Sequence, residues 1–244
     1  MKQISASALF FGLAALATMA PGLSASTITY ITPSNSSIAA GAVDAQAVFS
    51  IRSGVLQITL SDLLANPKDA GQLVSDLEFT LNSSLSGPGY SSSAQYVTVA
   101  ANGTPTTGST GATGWGFGTT GAKSYTLCVI CGNGITFYNG VTAQPSQEII
   151  GPTDGSGMYS NANSSIAGNS PHNPFLNGSA TFTIDDASIT SDTVVTSATF
   201  SFGTTAGVDV DGNRPGSVPE PSAIFLTASG FGAMLLGFAR RRKA

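Results

Sequence analysis

Apolar residues in this chain come in short runs that alternate with polar ones, and glycine, serine, asparagine or proline breaks each run within a few residues. Leu56, Ile58 and Leu60 alternate with Gln57, Thr59 and Ser61. A period of two sets the first group on one face of an extended strand and the second on the other. Charged residues make up only 9% of the chain, against about 25% in ordinary domains. Serine, threonine, glycine and asparagine take their place, and together with β-branched apolar residues they favour short strands joined by many turns.

The pattern predicts strands over 27–32, 45–51 and 55–60, the last two as a hairpin about Arg52-Ser53-Gly54. Asn66-Pro67, with Leu73, Val74 and Leu77 on one face, predicts a helix of one or two turns. A strand follows over 77–82. Residues 101–121 read as a long loop, or as two short strands with wide turns. A second hairpin is expected from 124–129 and 134–138, turned at Cys131-Gly132-Asn133-Gly134. The last strands fall over 180–184 and 194–202, and 208–217 reads as a linker. Phe200 and Phe202 share a side, so burial against the sheet carrying Leu56, Ile58 and Leu60 is expected, with Ser201 facing away. The fold expected is mainly β, a β-sandwich of jelly-roll type over 26–207. No repeat of fixed period points to a solenoid or propeller.

Both ends read as addressing segments. Lys2, an apolar run over 4–19 and small residues at Ser24-Ala25-Ser26 are the layout of a signal peptide over 1–25. At the other end, Val218-Pro219-Glu220-Pro221-Ser222 precedes an apolar run over 223–239 and then Arg240, Arg241, Arg242 and Lys243. A helix over 223–239 would span about 25 Å of a bilayer core of about 30 Å, and the basic residues can snorkel to the headgroups. By the positive-inside rule that basic end stays in the cytoplasm.

Taken in order, these C-terminal features resemble the PEP-CTERM sorting signal of bacterial exosortase substrates. The resemblance implies a sorting motif at Val218, Pro219, Glu220 and Pro221 that an exosortase cleaves, a transmembrane helix over 223–239, and a membrane stop at 240–243. It also implies export by the Sec machinery, a transient inner-membrane anchor, and a final place at the cell surface or outside the cell. The central region is similar to exported proteins that share this tail. That similarity lies in 55–60 with Ala65-Asn66-Pro67, in 75–81, in 159–163 with 170–176, and in 198–204. It implies a family of surface proteins and carries over no activity or ligand.

Between the addressing segments only Arg52, Lys68, Lys123 and Arg214 oppose twelve acidic residues, so the exported part carries about −8. Such a surface repels nucleic acid and anionic lipid headgroups. Cys128-Val129-Ile130-Cys131 in an exported chain favours a disulfide. Residues three apart on a strand lie about 10 Å from each other, beyond the ~7 Å that a bridge allows, so the bridge needs a turn across Val129-Ile130. Unpaired thiols, a redox pair or a metal are the other readings. The GxGxxG match over 116–121 has neither a strand before it nor a helix after it. Asp209, Asp211 and Asn213 alternate as calcium ligands do, but Arg214 stands where a calcium loop needs glycine. Asp185-Asp186 reads as a turn at a strand end. His172, the sole histidine, lies between Pro171 and Pro174. No catalytic residue, metal ligand or cofactor is nominated.

The function expected is a non-catalytic surface or matrix protein, with exopolysaccharide or like proteins as partners. A carbohydrate- or ice-binding module is the alternative. Thr27-x-Thr29, Thr104-x-Thr106 and Thr181-x-Thr183 are its motifs, without constant spacing between them. Sorting tails of this kind also occur on some ice-binding proteins. An exopolysaccharide hydrolase would need two carboxylates ~5–10 Å apart in an aromatic-flanked cleft. A flat threonine array, an aromatic groove, or neither would separate these readings.

Overall fold

A computed structural model describes residues 25–140 and 144–215. Residues 1–24 of the expected signal peptide lie outside these, as do the sorting motif with Val218, Pro219, Glu220 and Pro221, the helix over 223–239, and the tail of Arg240, Arg241, Arg242 and Lys243. The described chain is mainly β. In order its strands are β1 (Ser26–Ile31), β2 (Ser37–Ile38), β3 (Gly41–Ala42), β4 (Ala45–Arg52), β5 (Val55–Asp62), β6 (Val74–Leu81), β7 (Gly89–Val99), β8 (Pro105–Gly111), β9 (Gly116–Thr119) and β10 (Ser124–Cys128). They continue with β11 (Thr136–Asn139), β12 (Ile149–Ile150), β13 (Phe175–Asp185), β14 (Val195–Phe202) and β15 (Asp209–Asp211).

Thirteen of these strands form one continuous sheet with two halves. One half runs β1-β4-β5-β13-β7-β8 and the other β15-β14-β6-β10-β9-β11, every pairing antiparallel. The short β12 joins them, parallel to β13 on one side and paired at Ile149↔Val74 with β6 on the other. At the far side Ile31 and Asn213 exchange backbone hydrogen bonds of 2.9 and 2.7 Å, so the edge of β1 meets the chain leaving β15.

The alternation in the sequence decides which face is inside. Ile28, Phe49, Ile58 and Phe182 lie opposite one another on β1, β4, β5 and β13, and all are buried. The other half contributes Leu77, Phe79, Leu127, Phe117, Phe200 and Phe202 to the same cluster. Aromatic rings bind the halves together. Phe49 on β4 meets Phe79 on β6 with centroids 5.5 Å apart, and Tyr90 on β7 stacks on Phe117 of β9 at 5.6 Å. Such pairs add about 0.5–1.5 kcal/mol beyond their burial. A second, smaller cluster of Leu73, Val97, Ile150, Tyr159 and Phe175 lies under the turn-rich segment 151–174.

Several local expectations are corrected. The helix predicted from Leu73, Val74 and Leu77 is a single 3-10 turn, Ala70–Gln72, held by a capping box between Asp69 and Gln72. The chain is already extended at Leu73, and Leu77, Phe79 and Leu81 alternate along β6. Residues 124–128 and 136–139 do not pair with each other, because β11 lies beyond β9. Gly118 explains the order: a Cβ there would come within 2.5 Å of Ile135 Cγ2 and 2.8 Å of the Thr136 carbonyl, so only glycine lets the chain cross so closely. Within the segment read as a linker over 208–217, Asp209–Asp211 form β15 against β14. Residues 101–121, by contrast, follow the second of their two readings and hold two short strands, β8 and β9. Ser201 does point away from Phe200 and Phe202 but is buried, since it lies in the cleft beside Asp76 and Asp209 rather than on an open face.

Candidate functional site: an uncharged face and an acidic cleft

The first half presents a broad outward face. Its rows follow from strand register. Thr27, Ser50, Gln57, Thr183 and Ser91 lie side by side across β1, β4, β5, β13 and β7. One step along the strands lie Thr29, Val48, Thr59, Thr181 and Ser93, and then Ile31, Gln46, Ser61 and Ser179. These side chains are half-buried or exposed. Five strands spaced about 4.8 Å apart give a face about 19 Å wide. Among the described residues, none of the hydroxyl and amide side chains in these rows is spent on another protein group. Charge occurs in this half's strands only at their ends, as Arg52, Asp62 and Asp185.

The structure thus brings Thr27-x-Thr29 and Thr181-x-Thr183 onto one face, with Thr59 directly opposite Thr181. Thr104-x-Thr106 lies apart, at the start of β8. Val48 and Ser93 interrupt the threonine row, so the array is mixed. The interleaved hydroxyls were legible in the alternation of Gln57, Thr59 and Ser61. Their lateral neighbours on β4, β13 and β7 were not, because register across distant strands leaves no local signal.

The second half differs. On its outer face Thr126, Glu78, Thr199 and Asp211 form one row, and Cys128, Asp76, Ser201 and Asp209 the next. Each carboxylate accepts a hydroxyl: Thr126 Oγ1 donates to Asp76 at 2.8 Å, Thr120 to Glu78 at 2.9 Å, Thr199 to Asp211 at 2.9 Å, and Ser201 to Asp209 at 2.5 Å. Asp76, Glu78 and Asp209 line a cleft of about 170 Å³ together with Gly132, Asn133, Ile135, Ala206 and Gly207. Burial pushes the Asp76 carboxyl up to about 8, with the Asp209 and Glu78 charges adding to the shift. The hydroxyl bond from Thr126 acts the other way.

Cys128 and Cys131 are joined by a disulfide with Cα atoms 5.2 Å apart. The chain bends off β10 at Val129, whose amide donates to Ser75 at 2.9 Å, and the bridge fixes the root of the cleft lining that begins at Gly132. Asp209 and Asp211 are committed to β15 and its hydroxyl partners. Asn213 bridges to β1. Among the described residues no group of three or more His, Cys, Asp and Glu is arranged to hold a metal ion. Asp186 folds its own turn: burial works to raise its carboxyl, but the Ser188 hydroxyl and the Ser188, Gly87 and Ser86 amides donate to it and hold it below the usual range. The 116–121 glycine motif forms β9 and the turn after it.

His172 lies against Glu148 just before β12, with Nδ1 3.3 Å from Oε2. Glu148 is fully buried, and its Oε1 has no partner among the described residues. Burial raises the Glu148 carboxyl to about 7, and the contact raises His172 above its ordinary value. This pair stands where β12 joins the two halves, away from both the face and the cleft. Comparison with family models, curated proteins and solved structures finds no match for this chain.

Proposed function

We propose that this chain is an exported, non-catalytic protein of the cell surface or extracellular matrix, and that the uncharged face of β1, β4, β5, β13 and β7 binds neutral polysaccharide. We read the two halves of the sheet as the layers of a β-sandwich of jelly-roll type. The observation that carries the binding reading is the three rows of unspent hydroxyls and amides. A sugar chain laid on them can exchange water hydrogen bonds for protein ones without stripping water from any ion, which is the costly step on a charged surface. In this reading Sec exports the chain, the 223–239 helix anchors it in the inner membrane, and an exosortase cleaves within Val218, Pro219, Glu220 and Pro221.

Two measurements test this. The full chain should be retarded in affinity electrophoresis through gels holding a neutral glucan or galactan, and Thr59→Lys with Thr181→Lys should abolish the retardation. Equal retardation of wild type and double variant sinks the binding reading. Intact-mass analysis of the cell-surface form tests sorting separately, since recovery of 223–244 on the mature protein excludes cleavage. Freezing-point hysteresis with no retardation would instead select an ice-binding module.

The acidic cleft supports a second reading, a hydrolase of the exopolysaccharide. Asp76, kept protonated at neutral pH, has the state a general acid needs, with Glu78 and Asp209 as candidate partners. Reducing-end release from the polysaccharide that vanishes in Asp76→Asn would favour this reading.

A further inference from the structure

The geometry points to β8 as an edge that pairs with β8 of a second copy of this chain. Within the sheet β8 is bound only to β7 among the described residues, and no described strand lies along its outer edge. Thr106, Thr107, Gly108, Ser109 and Thr110 are all exposed. An unpaired edge presents backbone donors and acceptors that another strand can take. The opposite edge of this half is different, because Ile31 of β1 is already tied to Asn213.

Register shows which groups are free. The β7–β8 turn has Gly103 at φ 80°, Gly103 N donating to Ala100 O, and Ala100 N donating to Thr104 O, both at 2.9 Å. Ala100 and Thr104 therefore face each other as a hydrogen-bonded position. Antiparallel positions alternate, so Thr98↔Thr106 is bonded and Val97↔Thr107 is not. The Thr107 amide and carbonyl point outward. So does the nitrogen of Pro105, which has no hydrogen to lose there.

Charge selects the partner. Two copies of a domain carrying about −8 repel, and they approach most readily where neither has charge. Residues 79–122, which build β7, β8 and β9, contain no charged side chain. No edge lysine, the usual guard against self-pairing, stands in the way. Pairing of β8 with its copy is self-complementary about a two-fold axis. It would join two six-stranded halves into one sheet and extend the hydroxyl rows across both copies. The inference does not depend on what those rows bind.

The test places a photo-crosslinking benzoylphenylalanine at position 107 of the full chain. Illumination should give a homodimer whose cross-linked peptides both contain 105–111. A second probe at position 29, on β1, should give none. Thr107→Pro removes one outward donor and leaves the β7 ladder whole, and it should lower the dimer fraction measured by light scattering at least tenfold with an unchanged melting midpoint. Should that variant fail to fold, Thr107→Lys provides the same test through charge. Absence of the homodimer cross-link, cross-links only to other proteins, or equal dimer in wild type and Thr107→Lys would overturn the proposal.

Discussion

The two halves of this sheet share one core and one pairing scheme, yet they treat water oppositely. Across β1, β4, β5, β13 and β7 the outward positions are hydroxyls and amides with Val48 and Ile31 among them, and charge occurs only at strand ends. Across β6, β14 and β15 the equivalent positions include Asp76, Glu78, Asp209 and Asp211. A neutral polymer can lie on the first half without an ionic desolvation cost, whereas anything entering the cleft must deal with carboxylates. Inward positions determine that the chain folds, and the outward residue types divide what the two faces can meet.

The largest effect tests whether the halves are one unit. Phe49 and Phe79 touch across the core, and both are fully buried. Phe49→Ala should cost about 3–5 kcal/mol, a large share of a total of about 5–15 kcal/mol. Phe200→Ala, in the other half, should cost a similar amount. In chemical denaturation each variant should unfold in a single transition reported equally by Trp115 fluorescence and far-UV circular dichroism. Two separated transitions would mean that the halves are independent, and the comparison would then concern two domains.

The next effect is on pH, and Asp76 of the acidic half should contribute to it. The Asp76 carboxyl is raised to about 8 in the folded protein, against about 4 in an unfolded chain. The folded state therefore holds the proton that the unfolded state releases. Stability from this group is full below pH 4 and is lost as pH rises toward 8. Glu148, raised to about 7, and the buried Asp62, also raised, act in the same direction. Asp76→Asn should flatten the fall in melting midpoint between pH 5 and 8, so that its advantage over wild type grows with pH. A parallel pair of curves would show that Asp76 is ionised in the fold.

Ser201 sharpens the comparison at a smaller scale. Its hydroxyl is buried and donates to Asp209 at 2.5 Å, joining β14 to β15. A hydrogen bond contributes about 0.5–1.5 kcal/mol net, so Ser201→Ala should lower the denaturation midpoint measurably, though less than Phe200→Ala. The alternation Phe200-Ser201-Phe202 alone puts Ser201 on the side away from the core, which on a strand with one wet face is solvent. The cleft that encloses it depends on Asp209 of β15, and Asp209-Val210-Asp211 has too little apolar content to read as a strand. Similar causes account for the other differences. β7 begins Gly89-Tyr90-Ser91-Ser92-Ser93, where serines obscure a period of two. Leu73, Val74 and Leu77 fit a helical face by spacing, although Leu73 belongs to the small core cluster and the other two to the large one. By contrast β4, β5 and the C-terminal part of β13 were plain, because their apolar residues alternate without interruption. Of the cleft, the disulfide pair and Asp209 are legible in the sequence, but not their meeting with Asp76 and Glu78, because β6 and β15 are far apart along the chain.

The smallest effect on stability should accompany a large effect on binding, and that contrast is the sharpest test of the uncharged face. Thr59 and Thr181 are opposite one another on β5 and β13, half-buried, with hydroxyls that no described residue uses. Valine keeps the β-branched shape and strand preference of threonine. The double change Thr59→Val, Thr181→Val should therefore leave stability within about 0.5 kcal/mol of wild type, as surface substitutions usually do. It should also weaken retardation by neutral polysaccharide severalfold, since two donors at the middle of the face are gone and no charge has been added. A matching change on the other half, Thr199→Val, removes a donor to Asp211 and should leave polysaccharide retardation as it was. If Thr199→Val weakens retardation and the double change does not, the contact belongs to the acidic half and the assignment of the two faces is reversed.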